Sequence, residues 1–265
     1  SQMMKRQRSF SGESVSRVVS CARPPLSVRT TLALMVTLLL ALALAAPSAE
    51  ADPANSRTYA FQAGSLDAGN VSTCAVVTGR KVRCWGYGAE GRLGTNDTVD
   101  VGSTAGSMAA ATDLPLPAGV ASVSVGGDHA CALFLNGKVR CWGEGVQGQL
   151  GNGSASRVGD SLAHSVATAA DVQLPGPAVQ VSAGSGHTCA LLATGKVRCW
   201  GAGGQGQLGN DDTANIGTAP FWGQFQGSDV RLPDAATAIS AGGASTCAIL
   251  VTGKVRCWGD NQLGE

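Results

Sequence analysis

Residues 189–201 read Cys189-Ala-Leu-Leu-Ala-Thr-Gly-Lys-Val-Arg-Cys199-Trp200-Gly201, and nearly the same string occurs three more times. The other copies are Cys74-Ala-Val-Val-Thr-Gly-Arg-Lys-Val-Arg-Cys84-Trp85-Gly86, Cys131-Ala-Leu-Phe-Leu-Asn-Gly-Lys-Val-Arg-Cys141-Trp142-Gly143 and Cys247-Ala-Ile-Leu-Val-Thr-Gly-Lys-Val-Arg-Cys257-Trp258-Gly259. First cysteines lie 57, 58 and 58 residues apart. Three copies run on into Gly91-Arg-Leu-Gly94, Gly148-Gln-Leu-Gly151 and Gly206-Gln-Leu-Gly209. A fixed period of this size denotes stacked supersecondary units, none of which buries its apolar face alone.

Each string reads as a β-hairpin. In the third copy, Ala193-Thr194-Gly195 forms a three-residue loop with glycine where a left-handed backbone is needed. Counting outward, Leu192 faces Lys196, Leu191 faces Val197 and Cys189 faces Cys199. If the closing pair is hydrogen-bonded, the cysteines share a non-hydrogen-bonded site, where side chains approach most closely and a cross-strand disulfide is feasible. The repeat makes local pairing the simplest scheme for these eight cysteines: Cys74–Cys84, Cys131–Cys141, Cys189–Cys199 and Cys247–Cys257. A zinc centre needs four converging ligands, whereas each hairpin supplies two with no neighbouring histidine; no metal or other cofactor is expected. The first copy has Gly79 one place early and Arg80 in the third loop position, so its turn should differ.

A second strand-like stretch precedes each of the last three hairpins (Ala121–Val125, Val179–Ser182, Ala238–Ser240), with a proline-bounded segment such as Asp171-Val-Gln-Leu-Pro175 or Asp229-Val-Arg-Leu-Pro233 before it. Four short strands per unit, no helical periodicity and glycine at the bends describe a propeller blade. The expected fold is all-β, an incomplete arc of about three and a half to four blades, with approximate units at 64–120, 121–178, 179–236 and a truncated 237–265. The string Cys-Ala-Leu-Leu…Gly-Lys-Val-Arg-Cys-Trp-Gly…Gly-Gln-Leu-Gly-Asn, preceded by Gly186-His187-Thr188, closely resembles the regulator-of-chromosome-condensation repeat over residues 60–265. That resemblance implies a seven-bladed propeller, so that further blades would be missing from this chain. It also implies relatives that exchange guanine nucleotides on a small nuclear GTPase, sense ultraviolet light or inhibit enzymes by binding. The light sensors of the family place extra tryptophans just before the histidine; here those positions hold Gly127-Asp128, Ser185-Gly186 and Gly243-Ala244. Three departures mark this chain: few units, a long period and paired cysteines.

Repeat-invariant residues pack rather than react. Trp85, Trp142, Trp200 and Trp258, each followed by a turn glycine (Gly86, Gly143, Gly201, Gly259), are read as wedges between blades. Arg83, Arg140, Arg198 and Arg256 share a strand face with them and either stack on aromatic rings or form a basic ladder for an acidic partner. His129 and His187 are equivalent, with Ser72 and Ser245 in their places elsewhere, and should hydrogen-bond a turn. His164 stands alone in a loop. Asp97, Asp100, Asp211 and Asp212 sit in loops whose spacing matches no Ca²⁺ rule. Asn70, Asn96 and Asn152 head glycosylation sequons. Phe221, Trp222 and Phe225 form an aromatic cluster in a linker, either a loop anchor or a binding hot spot.

Only 14% of the 265 residues are charged, 44% are hydrophobic and 37 are glycine, which suits a turn-rich globular body. Residues 1–51 hold six basic and two acidic residues; the remaining 13 basic and 16 acidic residues give residues 52–265 a net charge of −3. That body lacks the basic footprint of a nucleic-acid binder. In the basic leader, Leu32 to Ala46 is an apolar run of about 15 residues, short of the ~20 that a spanning helix needs. Ala49-Glu50-Ala51 then supplies small residues for signal-peptide cleavage, the alternative being an uncleaved signal anchor with the repeats outside. Either route sends the body to a secretory lumen or the exterior, with the leader as its only membrane contact. No serine–histidine–acid set and no phosphate-binding loop is visible. The expected function is a non-enzymatic module that binds a protein or glycan; the rival, implied by the resemblance, is nucleotide exchange on a small GTPase.

Overall fold

A computed structural model describes residues 66–117, 119–218 and 229–262, all of them within the compact unit Thr58–Glu265. The leader with its apolar run at 32–46, and the cluster Phe221, Trp222 and Phe225, lie outside the described residues. Among the described residues no helix is long and apolar enough to cross a membrane.

Among the described residues, twelve strands make four antiparallel three-stranded sheets, each meandering in chain order. The first blade holds β1 (Leu66–Ala68), β2 (Ser72–Val77) and β3 (Lys81–Gly86); the second holds β4 (Val120–Val125), β5 (His129–Phe134) and β6 (Val139–Gly143). The third holds β7 (Ala178–Ala183), β8 (His187–Leu192) and β9 (Val197–Gly201); the fourth holds β10 (Ala236–Gly242), β11 (Ser245–Leu250) and β12 (Val255–Gly259). The register is the one counted from the turn, with Leu191 opposite Val197 and Cys189 opposite Cys199. Leu192 N–H donates to the Lys196 carbonyl at 2.8 Å, closing the loop, and Gly195 turns it at φ 80°. All four cysteine pairs are bonded, with Cα–Cα distances of 4.0–4.1 Å, as suits the closely spaced type of cross-strand site. In the first hairpin both Gly79 (φ 79°) and Arg80 (φ 56°) are left-handed, so Arg80 adopts the conformation that glycine takes in the other three.

The fourth strand anticipated for each blade is not a regular strand. The proline-bounded segments touch the hairpin's outer strand through one backbone bond each: Leu114 N–H to Val82, Val172 N–H to Val139 and Val230 N–H to Val197, all 2.8 Å. Proline removes ladder donors. In two segments the chain also curls back on itself, Leu174 N–H donating to Val172 and Leu232 N–H to Val230, the i to i+2 pattern of a γ-turn.

Blades stack so that each sheet serves two cores. In the third blade, Val181, Ala190 and Trp200 join the core shared with the preceding blades, while Cys189, Leu191, Val197 and Cys199 join the core shared with the fourth. Alternate side chains point to opposite faces, which is why β5 and β8 are buried at every position. In the fourth blade β11 is only alternately buried and β12 has no fully buried residue.

Candidate functional site

The seams between blades absorb Trp142, Trp200, Trp258, His129 and His187. Trp142, Trp200 and Trp258 wedge toward the preceding blade, their indole N–H groups donating to the carbonyls of Arg92, Gln149 and Gln207 at 2.9–3.1 Å. Trp142 and Trp200 are fully buried. The glycine after each tryptophan is required: Gly201 has φ 105°, and a Cβ there would stand 2.6 Å from the Gly186 carbonyl oxygen. His129 and His187 do not cap turns as expected. Each Nε2 instead meets a threonine of the next blade, Thr188 Oγ1 at 2.7 Å and Thr246 Oγ1 at 2.8 Å. Those hydroxyls donate to the Gln149 and Gln207 carbonyls, so each must accept from a protonated Nε2. Nδ1 is then a bare, buried acceptor, and neither ring has a partner for it among the described residues. Burial drives the His129 pKa down to about 3, with the nearby His187 contributing, and the His187 pKa down to about 4.

Toward the axis, the first strands of the four blades line a polar groove of about 350 Å³. Side-chain oxygens here bind the next blade's backbone: Asp67 Oδ2 accepts from Val125 N–H, Ser124 Oγ from Ala183 N–H and Ser182 Oγ from Ala241 N–H, at 2.8–3.1 Å. Asp67, Ser124 and Ser182 in the groove wall are thus spent on the scaffold.

In the first three blades the repeated arginines are neither stacked in a row nor a free basic ladder. Arg83, Arg140 and Arg198 bind Asp113, Asp171 and Asp229 through Nε at 2.6–2.8 Å, and Lys81, Lys138 and Lys196 reach the same carboxylates. Arg140 alone also lies over an aromatic ring, 6.0 Å from the Phe134 centroid. Hydrogen bonds from Arg83 and then Lys81 hold the Asp113 carboxyl below the ordinary carboxylate range. Burial alone would raise Asp229, but the bonds from Lys196 and Arg198 outweigh it and lower the pKa. The aspartates opening each proline-bounded segment were the missed partners. Their signal was recurrence one blade apart.

The remaining candidates stay apart. Asn70 is exposed, while Asn96 and Asn152 are half-buried, Asn152 Oδ1 accepting from Ser154 N–H. Asp97 and Asp212 close their own turns, Asp100 holds Gly88 N–H, and Asp211 pairs with Arg231. His164 Nδ1 binds Asp160 at 2.9 Å. Among the described residues no three histidine, cysteine or acidic side chains gather as a metal set.

Comparison with known proteins matches residues 120–149, 178–207 and 236–265 to the regulator of chromosome condensation (RCC1) repeat, and a second description of that repeat matches 136–191. The human E3 ubiquitin-protein ligase HERC2 is 31% identical over 205 residues, covering 76% of this chain and 4% of HERC2. The ultraviolet-B receptor UVR8 of Arabidopsis thaliana is 29% identical over 203 residues, 76% of this chain and 42% of the receptor. Yeast RCC1 (Prp20), solved bound to Kap60, superposes with a TM-score of 0.56 at 20% identity over 77% of this chain and 44% of Prp20. The chain thus spans less than half the length of each. With matching repeats, four antiparallel blades and a shared fold, the repeat region of this chain belongs to the regulator of chromosome condensation (RCC1) repeat family.

Proposed function

We propose that the chain is a non-enzymatic recognition module, secreted or lumenal, whose blade rims and loops bind a protein. One observation carries this reading. The recurring groups with chemical potential in the first three blades are consumed by the scaffold: cysteines in disulfides, His129 and His187 in seams, arginines on aspartates. What varies is loop sequence, the usual seat of recognition on repeat scaffolds. Prp20 bound to Kap60 is a relative of this fold with a protein partner. Buried disulfides and the basic, apolar leader support an oxidising destination. Guanine-nucleotide exchange is the rival. The decisive experiment pairs cross-linking of the secreted chain at cell surfaces with a nucleotide-release assay on small GTPases. Specific cross-links to a surface or secreted protein support the module, and stimulated nucleotide release overturns it.

A further inference from the structure

The turn after each Gly-x-Leu-Gly string holds a left-handed residue at its second position, and the first three blades supply it differently: Asn96 at φ 66°, Gly153 at φ 78° and Asp211 at φ 62°. Asparagine and aspartate tolerate that backbone, and glycine takes it at no steric cost. Among the three, only the second blade's choice sets a glycine directly after an asparagine, in Gly151-Asn152-Gly153-Ser154. One other Asn-Gly pair occurs in the chain, Asn136-Gly137 at the tip of the β5–β6 hairpin. In both pairs the asparagine Oδ1 accepts a backbone N–H two residues on, from Ser154 and from Lys138, each at 3.0 Å. The glycines differ. Gly137 is buried, a Cβ on it would stand 2.4 Å from Pro177, and its N–H donates to the Phe134 carbonyl at 2.9 Å. Gly153 is exposed, and its N–H has no partner among the described residues.

We infer that Asn152 is a site of self-modification, deamidating through a succinimide closed by the Gly153 nitrogen. That nitrogen loses its proton to solvent base and attacks Cγ of Asn152, with no Cβ on Gly153 to crowd the closing ring. The Ser154 N–H, already on Oδ1, stabilises the oxyanion that forms there. The N–Cγ bond forms, the Cγ–Nδ2 bond breaks, and Nδ2 takes up a proton and leaves as ammonia. Water then opens the ring. Attack at Cγ gives aspartate; attack at the main-chain carbonyl carbon gives isoaspartate, with Gly153 attached through Cγ. Either product adds a carboxylate that is ionised at neutral pH. Either also removes the Nδ2 to which a glycan on the sequon Asn152-Gly153-Ser154 would be joined. Isoaspartate further lengthens the main chain by one carbon beside Gly151, where even an added Cβ would stand 2.6 Å from Trp200 Nε1.

The test incubates the folded 265-residue chain, made in a host that attaches no N-glycans, in warm and mildly alkaline buffer. Peptide mapping with isoaspartate-specific methyl labelling reads both asparagines in one digest. Asn152 should convert, with Asn136 at least about fivefold slower, because the bond from Gly137 N–H to Phe134 must first break. In the reduced chain in urea, where neither turn persists, the two should convert at similar rates. Gly153→Asp copies the third blade's left-handed Asp211, and should slow conversion at Asn152 severalfold with unchanged melting temperature. An intact Asn152 in the folded chain, equal rates at 136 and 152 there, or undiminished conversion in Gly153→Asp overturns the proposal.

Discussion

Arg140 and Arg83 occupy the same place in successive hairpins yet differ in worth. Arg140 is 9% exposed; its guanidinium binds Asp171 and also donates to the Val166 and Ala167 carbonyls. Arg83 has a side chain 45% exposed, with Asp113 and no carbonyls. Arg140→Ala leaves a carboxylate and two carbonyls short of donors and should cost about 3 kcal/mol in denaturant unfolding. Arg83→Ala should cost no more than about 1 kcal/mol. Equal costs would show that the surrounding carbonyls contribute nothing. Arg80 offers the opposite sign, since a left-handed non-glycine residue is strained by about 1–2 kcal/mol. Arg80→Gly should therefore stabilise the first hairpin, after the entropy cost of glycine, by roughly 0.5 kcal/mol, with a small rise in melting temperature.

Hairpins were legible because all that fixes them is local: the turn glycine, the spacing and the register that sets Cys189 against Cys199. The outermost segment was misjudged because a proline-bounded stretch resembles a strand in composition while lacking the donors to be one. Element position also grades the disulfides. Cys74, Cys84, Cys131, Cys141, Cys189 and Cys199 are at most 2% exposed, each pair covered by the following blade. Cys257 is exposed and Cys247 half-buried. Under increasing dithiothreitol, differential alkylation should find Cys247–Cys257 reduced first, with the other three opening only as the blades unfold, because thiolate attack needs access. Removing a buried bridge by Cys189→Ser with Cys199→Ser should cost about 2–3 kcal/mol on the loop-entropy argument. A buried bridge reduced ahead of the fourth would contradict this order.

Across the whole molecule, the contacts that join blades were the least legible, since their partners lie 39–59 residues apart. The pairing rule shows only once the seams are seen. His129 meets Thr188 and His187 meets Thr246, whereas Ser72 stands where the histidine would be and Ala130 where the threonine would be, and that seam has the first-strand contact, made there by Asp67, without the pair. Two seams therefore depend on a neutral imidazole, and this makes the stack acid-sensitive in a defined window. The folded pKa values, about 3 for His129 and about 4 for His187, lie below the ordinary 6.5. As pH falls below about 6.5 the unfolded chain gains protons that the folded chain refuses. Each histidine then removes about 1.4 kcal/mol of stability per pH unit, until its folded ring protonates. Above about pH 6.5 neither contributes a slope. The lowered carboxyls of Asp113, Asp229 and Glu144 add their own loss only further down, through the carboxylate range. Urea unfolding from pH 7.5 to 5 isolates the histidines, with an expected fall of roughly 4 kcal/mol for the pair at pH 5. In the double variant His129→Gln, His187→Gln, glutamine retains an N–H for each threonine but cannot titrate. Its stability at pH 7.5 should be lower than that of the parent, and its pH slope over the same interval largely absent; an undiminished slope would place the acid sensitivity outside the seams.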